Sequence, residues 1–244
     1  MSALPATAVN DNDAEALAEK LNRLHSEATP AEILNAAIND VFKGRIALVS
    51  SFGAEAAVML ALVAEANPAT PVVFLETGKH FAQTLTYRKD LQKRLGLTDV
   101  RDIQPAAEDL AAADPKGDLW RRDTDACCEI RKVRPLDTAL GGFDAWITGR
   151  KRFHGGGRLR LPIFEAAGDQ VKVNPLARAS KEEIDALFAE RDLPPHPLVA
   201  QGFPSIGCWP CTRPSEDPND VRAGRWAGSD KDECGIHLWK PAAR

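Results

Sequence analysis

The sequence lacks any long apolar run, and no stretch approaches the roughly 20 residues that a membrane-spanning helix needs. Its beginning has neither the basic start nor the apolar centre of a secretory signal. A net charge of −4 over 244 residues provides no general basic field for duplex nucleic acid. We therefore expect a cytoplasmic protein that binds neither membranes nor nucleic acid.

The chain also lacks internal repeats and low-complexity tracts, and short apolar runs alternate with helical patterns through most of it. This alternation predicts an α/β fold: a twisted, mostly parallel sheet with helices on both faces. We expect residues 1–193 to form this unit, with residues 106–129 as a polar loop within it. Residues 194–244 have little periodicity, which predicts an irregular, Cys-rich segment of the same domain that ends in a mobile tail.

No GxxxxGK[ST] phosphate-binding loop is present. Instead, Ser50, Ser51 and Gly53 join a predicted strand to a helix, and Thr77 and Gly78 follow the next strand. Because ligands of open α/β sheets bind beyond the carboxyl ends of the strands, these turns indicate an anion-binding crevice. Taken alone, each turn is also compatible with an ordinary strand-to-helix connection.

A basic loop follows a later strand and reads RKRFHGGGRLR over residues 150–160. Arginine matches phosphate and sulfate oxygens in a bidentate manner, so Lys151, Arg152 and Arg158 are candidate anion ligands. The alternative is a solvated surface loop.

The cysteines number five, an odd count that does not suit a disulfide framework. Four of them suit a zinc ion or an iron–sulfur cluster, namely Cys127, Cys128, Cys208 and Cys211. Adjacent cysteines reach one zinc ion at about 2.3 Å with difficulty, whereas a [4Fe–4S] cluster offers them separate irons. This spacing favours the cluster.

The fifth cysteine, Cys234, lies ten residues from the end of the chain and follows Arg222 and Arg225. Neighbouring cations lower the pKa of a thiol and make it a better nucleophile. Cys234 is therefore either a nucleophile or an incidental exposed thiol.

Together these motifs resemble the assimilatory adenylyl-sulfate and phosphoadenylyl-sulfate reductase family. The resemblance covers residues from about 45 to 238 and is carried by SSFG at 50–53, ETG at 76–78, CCEIRKVRPL at 127–136, the loop GRKR…R at 149–158, CWPCTRP at 208–214, RAGRW at 222–226 and ECGIH at 233–237.

The resemblance implies an adenine-nucleotide α-hydrolase-like fold and reduction of adenylyl sulfate (APS) to sulfite and AMP. It implies that Cys234 attacks sulfur to form an S-sulfonate, which reduced thioredoxin or glutaredoxin then cleaves. Lys132 and His237 are implied as further catalytic residues beside Arg222 and Arg225, and the other four cysteines as [4Fe–4S] ligands. Relatives form oligomers, so a homo-oligomer is also expected.

The substrate remains open at this point, because reductases of phosphoadenylyl sulfate (PAPS) and enzymes that accept both substrates belong to the same family. Relatives carry Gln-Ser in the basic loop where this chain has His154 and Gly155, so the anion contacts there are not transferable. An adenylate-forming ligase of the same fold would not need Cys234. A redox-sensing metal module would not need the nucleotide crevice.

Overall fold

The structure is a computed structural model that describes residues 11–215, 217, 220–226, 231 and 233–238. The strands are β1 Ile46–Val49, β2 Val72–Leu75, β3 Val100–Ile103, β4 Ala145–Ile147, β5 Phe164–Ala167 and β6 Gln170–Val173. The α-helices are α1 Asp11–Leu24, α2 Pro30–Asn35, α3 Ala56–Ala66, α4 Ala82–Leu95, α5 Ala107–Ala113, α6 Leu119–Arg122, α7 Thr124–Cys128, α8 Arg134–Leu140, α9 Lys181–Glu190 and α10 Gly235–Leu238. Helices α2 and α7 run directly into π-helical turns, Ala36–Val41 and Glu129–Val133.

The six strands form one sheet in the order β3-β2-β1-β4-β6-β5. Strands β3, β2, β1, β4 and β6 are parallel, and β5 pairs antiparallel with β6. The chain leaves β1 towards β2 on one side, and β4 is added later on the other side of β1. The predicted fold class, a mostly parallel sheet in an α/β protein, is confirmed.

Alternate residues of the central strands face two separate cores, as a sheet covered on both faces requires. Ile46 and Leu48 of β1 pack into the larger core with helices α1 to α4 and α9. Ala47 of the same strand packs into a smaller core with Leu136 of α8 and Trp146 of β4.

The prediction of a polar loop over residues 106–129 is wrong, since α5, α6 and α7 lie there. These helices have seven, four and five residues, too short for apolar residues to recur at helical spacing. Side chains fix their ends instead. Asp114 accepts a hydrogen bond from the Leu119 N–H at 2.8 Å, and Asp123 accepts one from the Ala126 N–H at 2.9 Å.

Strand β5 is a further element that the sequence analysis does not predict. Its four residues form a hairpin with β6 through a two-residue turn that begins at Gly168, where φ is +59°. A glycine tolerates this left-handed conformation, which suits the turn of a tight hairpin.

The segment after residue 193 packs on α4 through polar contacts. The Tyr87 hydroxyl donates to the Pro194 carbonyl at 2.7 Å. His196, 1% exposed, accepts a hydrogen bond from the Leu198 N–H at Nδ1 and therefore donates from Nε2 to the Thr84 hydroxyl at 3.0 Å. The segment is irregular, as predicted, but it is anchored to the α/β unit by a neutral imidazole.

None of the helices within the described residues is long and apolar enough to cross a membrane.

We predict that His196 makes the free energy of unfolding pH-dependent. Burial lowers the pKa of His196 to about 4, below its ordinary value of about 6.5. Between these values the unfolded chain binds the additional proton, so stability present above pH 6.5 is lost as the pH falls towards 4. The loss at pH 5 amounts to about 2 kcal/mol.

This prediction is checked by urea unfolding at pH 7.5 and pH 5.0 for the parent and for His196→Gln. The variant is expected to be less stable at pH 7.5 but to lose less stability on acidification. Equal losses in the two proteins would contradict it.

Candidate active site

A cavity of about 210 Å³ opens at the carboxyl edge of the sheet, beside β1 and β4. The chain continues from β1 to one side of the sheet and from β4 to the other side. Open α/β sheets bind their ligands at such a point. The turn after β1, the residues after β4, residues 204–207 and the tail containing Cys234 all line the cavity. Four separate parts of the sequence thus meet around one space.

The turn after β1 is tight and closely packed. Phe52 is fully buried with φ of +49°, an uncommon value for a residue other than glycine, and its N–H donates to the Ser50 hydroxyl at 3.2 Å. A Cβ on Gly53 would lie 3.0 Å from the Ile206 carbonyl oxygen. Gly53 therefore lets residues 204–207 approach the turn, and Ser50 and Ser51 line the cavity.

The cavity is electropositive. Among the described residues that line it, the basic ones are Lys132, Arg150, Lys151, Arg158, Arg222 and Arg225, and the acidic ones are Glu55 and Glu233. Burial lowers the pKa of the lining histidines, His80, His154 and His237, which favours their neutral forms. Six cations against two carboxylates make this a site for an anionic ligand.

The carboxylate of Glu55 lies among the groups of the basic loop. It accepts hydrogen bonds from Lys151 Nζ at 2.9 Å and from His154 at 3.1 Å. Burial alone would raise the pKa of Glu55, but His154 and Lys151 outweigh this effect and lower it to about 2. His154 also contacts Arg158 through its other ring nitrogen at 3.1 Å, so it is part of a buried network rather than a solvated loop residue.

The tail is docked against this loop by a bidentate ion pair. Arg158 donates from Nε and Nη2 to the two carboxylate oxygens of Glu233 at 2.6 and 2.9 Å. Burial alone would raise the pKa of Glu233, but the hydrogen bonds and charge of Arg158, together with the charge of Arg222, lower it to about 2. The residue that follows is Cys234, which this pair holds inside the cavity.

Cys234 is 8% exposed, with Lys132 Nζ 3.9 Å from its Sγ. The neighbouring Cys128 thiol, Lys132 and the Ile236 N–H lower the pKa of Cys234, although burial opposes them. Arg225 adds a further cation that lowers the pKa of Cys234. Its guanidinium lies directly against Gly207, where the Cβ of any other residue would collide with it. The thiolate of Cys234 is thus stabilised in the same cavity that favours an anion.

The other four cysteines, Cys127, Cys128, Cys208 and Cys211, line a second, smaller cavity behind Lys132. Cys127 and Cys128 end α7 where it becomes the π-helical turn, and both are buried. No cysteine is in a disulfide bond. Within the described residues, no three His, Cys, Asp or Glu side chains converge closely enough to hold a single metal ion. The four thiols share the lining of this one cavity.

Most of the sequence-predicted residues come together around the main cavity. These are Ser50, Ser51, Gly53, Lys132, Lys151, Arg158, Arg222, Arg225, Cys234 and His237.

Three candidate anion ligands do not line that cavity. The Thr77 hydroxyl lies 3.4 Å from Cys208 Sγ, and a Cβ on Gly78 would lie 3.5 Å from Arg131 Nη1. Arg152 donates from Nε to the Leu161 carbonyl at 2.9 Å. Thr77 and Gly78 therefore belong to the surroundings of the cysteine cavity, and Arg152 fixes the fold of the basic loop.

Sequence reasoning misses Glu55, Glu233 and residues 204–207 as parts of the cavity. Glu55 carries a usable signal, since it directly follows the Ser-Gly turn at the start of α3. Residues 204–207 carry none, because only the folded chain brings them to Gly53.

Comparisons with known proteins agree with this architecture. A family model described as the phosphoadenosine phosphosulfate reductase domain matches residues 45–214. An adenosine 5'-phosphosulfate reductase of Mesorhizobium japonicum is 46% identical over 228 residues, 93% of this chain and 90% of the relative. A phosphoadenosine 5'-phosphosulfate reductase of Gloeobacter violaceus is 37% identical over 240 residues, 96% and 97% of the two chains.

Among solved structures, the phosphate complex of a phosphoadenylyl-sulfate (PAPS) reductase from Candida auris is similar, with a TM-score of 0.67 and 25% sequence identity. The match covers 80% of this chain and 96% of that one. The family model and this solved reductase define the class, a nucleotide-binding enzyme with an adenine-nucleotide α-hydrolase-like fold. The chain belongs to the phosphoadenosine phosphosulfate reductase family and is an oxidoreductase.

We predict that Glu55→Gln destabilises the protein and that inorganic phosphate reverses the loss. The variant leaves the buried ammonium of Lys151 without its carboxylate partner, which costs up to about 3 kcal/mol. A bound anion supplies the missing negative charge. Thermal unfolding should therefore give a lower midpoint for the variant and a larger upward shift with phosphate than in the parent.

The matched control is the double variant Glu55→Gln with Lys151→Met, which removes both charges. It should unfold at a higher temperature than the single variant and respond less to phosphate. Identical phosphate shifts in the parent and in Glu55→Gln would contradict the prediction.

Proposed function

We propose that this protein reduces adenylyl sulfate to sulfite and AMP in assimilatory sulfate reduction, using Cys234 as a nucleophile and a thiol protein as reductant. The observation that carries the proposal is the placement of the Cys234 thiol, 3.9 Å from Lys132 Nζ, within a cavity that six cations line. Relatives named adenosine 5'-phosphosulfate reductases support this substrate.

In the first half-reaction the Cys234 thiolate forms a bond to the sulfur of the sulfo group. The bond between that sulfur and the phosphate oxygen breaks, and AMP leaves with the electron pair. The product on the enzyme is a cysteine S-sulfonate. Because an anionic nucleophile approaches an anionic group, nearby cations must offset the charge that builds up between them.

The cavity supplies these cations on the side where Cys234 lies. Lys132, Arg222 and Arg225 surround the thiol and oppose the charge of the sulfo and phosphate oxygens. Ser50, Ser51 and Gly53 offer hydroxyl and backbone N–H groups to the phosphate from the turn after β1. His237, neutral and buried next to this site, acts as a hydrogen-bonding group rather than as a charge.

In the second half-reaction a thiolate of reduced thioredoxin or glutaredoxin attacks the sulfur of Cys234. Sulfite leaves with the electron pair of the S–S bond, and a mixed disulfide forms. The second thiol of the reductant then resolves it, returning Cys234 to the thiolate and oxidising the reductant to a disulfide. Since Cys234 is 8% exposed when docked, the tail must leave the cavity for this step.

The preferred substrate is adenylyl sulfate rather than its 3'-phosphorylated form. Two cations of the basic loop, Lys151 and Arg158, are already paired with Glu55 and Glu233. A 3'-phosphate would bring further negative charge to a cavity that holds these two carboxylates. The alternative, use of PAPS or of both substrates, is favoured by the Gloeobacter violaceus relative that is named for PAPS.

The four thiols around the smaller cavity fit a [4Fe–4S] cluster. All are soft donors, and all four line the same small cavity. Cys127, Cys128, Cys208 and Cys211 would hold it. When bound, it supplies a compact charged group behind Lys132, whereas the electrons of the reaction come from thiols.

The experiment that tests this function measures sulfite release with reduced thioredoxin from APS and from PAPS, under anaerobic conditions. We expect kcat/KM for APS to exceed that for PAPS by at least about tenfold. Cys234→Ser should abolish sulfite release because a hydroxyl is a poor nucleophile here.

As a control, Cys234→Ser should still be stabilised by AMP in thermal unfolding, since the cavity remains. Equal turnover of both substrates would support the dual-specificity alternative. Sulfite release by Cys234→Ser would contradict the proposed mechanism.

A further inference from the structure

Lys172 takes no part in the reaction described so far, yet it lies in the sheet beneath the tail. It is 2% exposed and belongs to β6, between β4 and the edge strand β5. A buried ammonium is costly unless it is paired and hydrogen-bonded. The partners of Lys172 therefore indicate its role.

Its neighbours on the sheet form a short cross-strand row. Trp146 of β4 and Glu165 of β5 lie opposite Lys172 in the register. The ammonium lies 5.2 Å from the centre of the Trp146 ring and 3.5 Å from Glu165 Oε1. Both contacts favour the charged form, and the row faces the side of the sheet on which the tail lies.

A further partner belongs to the tail. Lys172 Nζ donates to the His237 carbonyl at 3.1 Å, at the end of α10. The His237 ring stacks parallel to Trp146, with the ring centres 6.5 Å apart and an angle of 6°. Ile236 packs against the smaller core. The tail therefore packs on Trp146 and is hydrogen-bonded to Lys172.

These contacts fix the position of Cys234 because α10 is short. The His237 N–H donates to the Cys234 carbonyl at 2.9 Å, so one turn separates the residue that Lys172 holds from the thiol. On the other side of Cys234, Glu233 is held by Arg158. The thiol thus lies between two anchors, one on the basic loop and one on β6.

We propose that Lys172 is a positioning residue that docks the tail through the His237 carbonyl and thereby sets Cys234 for attack on the sulfo group. The inference rests on the proposed function and adds a specific consequence to it. Lys172 assists the first half-reaction, which needs the docked tail, and opposes the second, which needs the tail released. Weakening this anchor should therefore shift the two half-reactions in opposite directions.

The test compares Lys172→Met, which keeps the length of the side chain without its charge, with Lys172→Arg, which keeps the charge. Three rates are measured on the cluster-loaded protein. They are carboxymethylation of Cys234 by iodoacetate without nucleotide, S-sulfonation by APS in a single turnover, and cleavage of the preformed adduct by thioredoxin. The matched control is Lys93→Met, an exposed lysine on α4.

We expect Lys172→Met to accelerate carboxymethylation about tenfold and to slow S-sulfonation about tenfold, a difference of about 1.4 kcal/mol in each case. Cleavage of the adduct should be faster than in the parent. Lys172→Arg should restore most of the parent behaviour, and Lys93→Met should match the parent. Should Lys172→Met fail to fold, Lys172→Gln takes its place, because its shorter neutral side chain does not reach the tail.

Parent rates of carboxymethylation and S-sulfonation in the folded Lys172 variant would overturn the inference. Equal slowing of both half-reactions would also overturn it, since that result indicates a general structural role. If the parent itself forms no adduct with APS, the proposed function fails. Carboxymethylation still decides in that case whether Lys172 docks the tail.

Discussion

The ion pair between Arg158 and Glu233 joins the basic loop to the tail, and the arrangement of the active site depends on it. Without it, Cys234 loses the anchor that holds it beside the cations gathered at the ends of β1 and β4. The pair also supplies one of only two carboxylates among the described residues of the cavity. The same contact therefore places the nucleophile and limits the positive charge around it.

The two half-reactions place opposite demands on the tail. Attack on the sulfo group needs Cys234 enclosed with Lys132, where water is largely excluded and charges interact strongly. Cleavage of the adduct needs the same sulfur open to a second protein. A short helix held by a few polar contacts meets both demands, because only these few contacts have to break when the tail is released.

Much of the fold could be predicted from the sequence because the residues at the ends of elements and the spacing of apolar residues indicated the same elements. Ser180 and Glu183, three residues apart in the sequence, form the capping box at the start of α9. The apolar run before Ser50 is a central strand, as predicted. Helices α5 to α7 and strand β5 could not be predicted, since their few residues carry no periodicity.

The polar pairs of the site could not be predicted from the sequence, for a different reason. Glu55 and Lys151 are 96 residues apart, and Lys172 and His237 are 65 apart, so their partnership exists only after the sheet has formed. A basic loop in the sequence looks like a set of free anion ligands. In the folded protein, Arg152 supports the loop backbone, and Lys151 and Arg158 each hold a carboxylate.

The central claim is that Cys234 attacks the sulfo group of adenylyl sulfate within this cavity. The most direct measurement is the intact mass of the cluster-loaded protein after anaerobic incubation with APS and no thiol reductant, followed by peptide mapping. The account predicts a gain of one sulfo group per chain, carried by Cys234. An unchanged mass, or an adduct on any other residue, would contradict it.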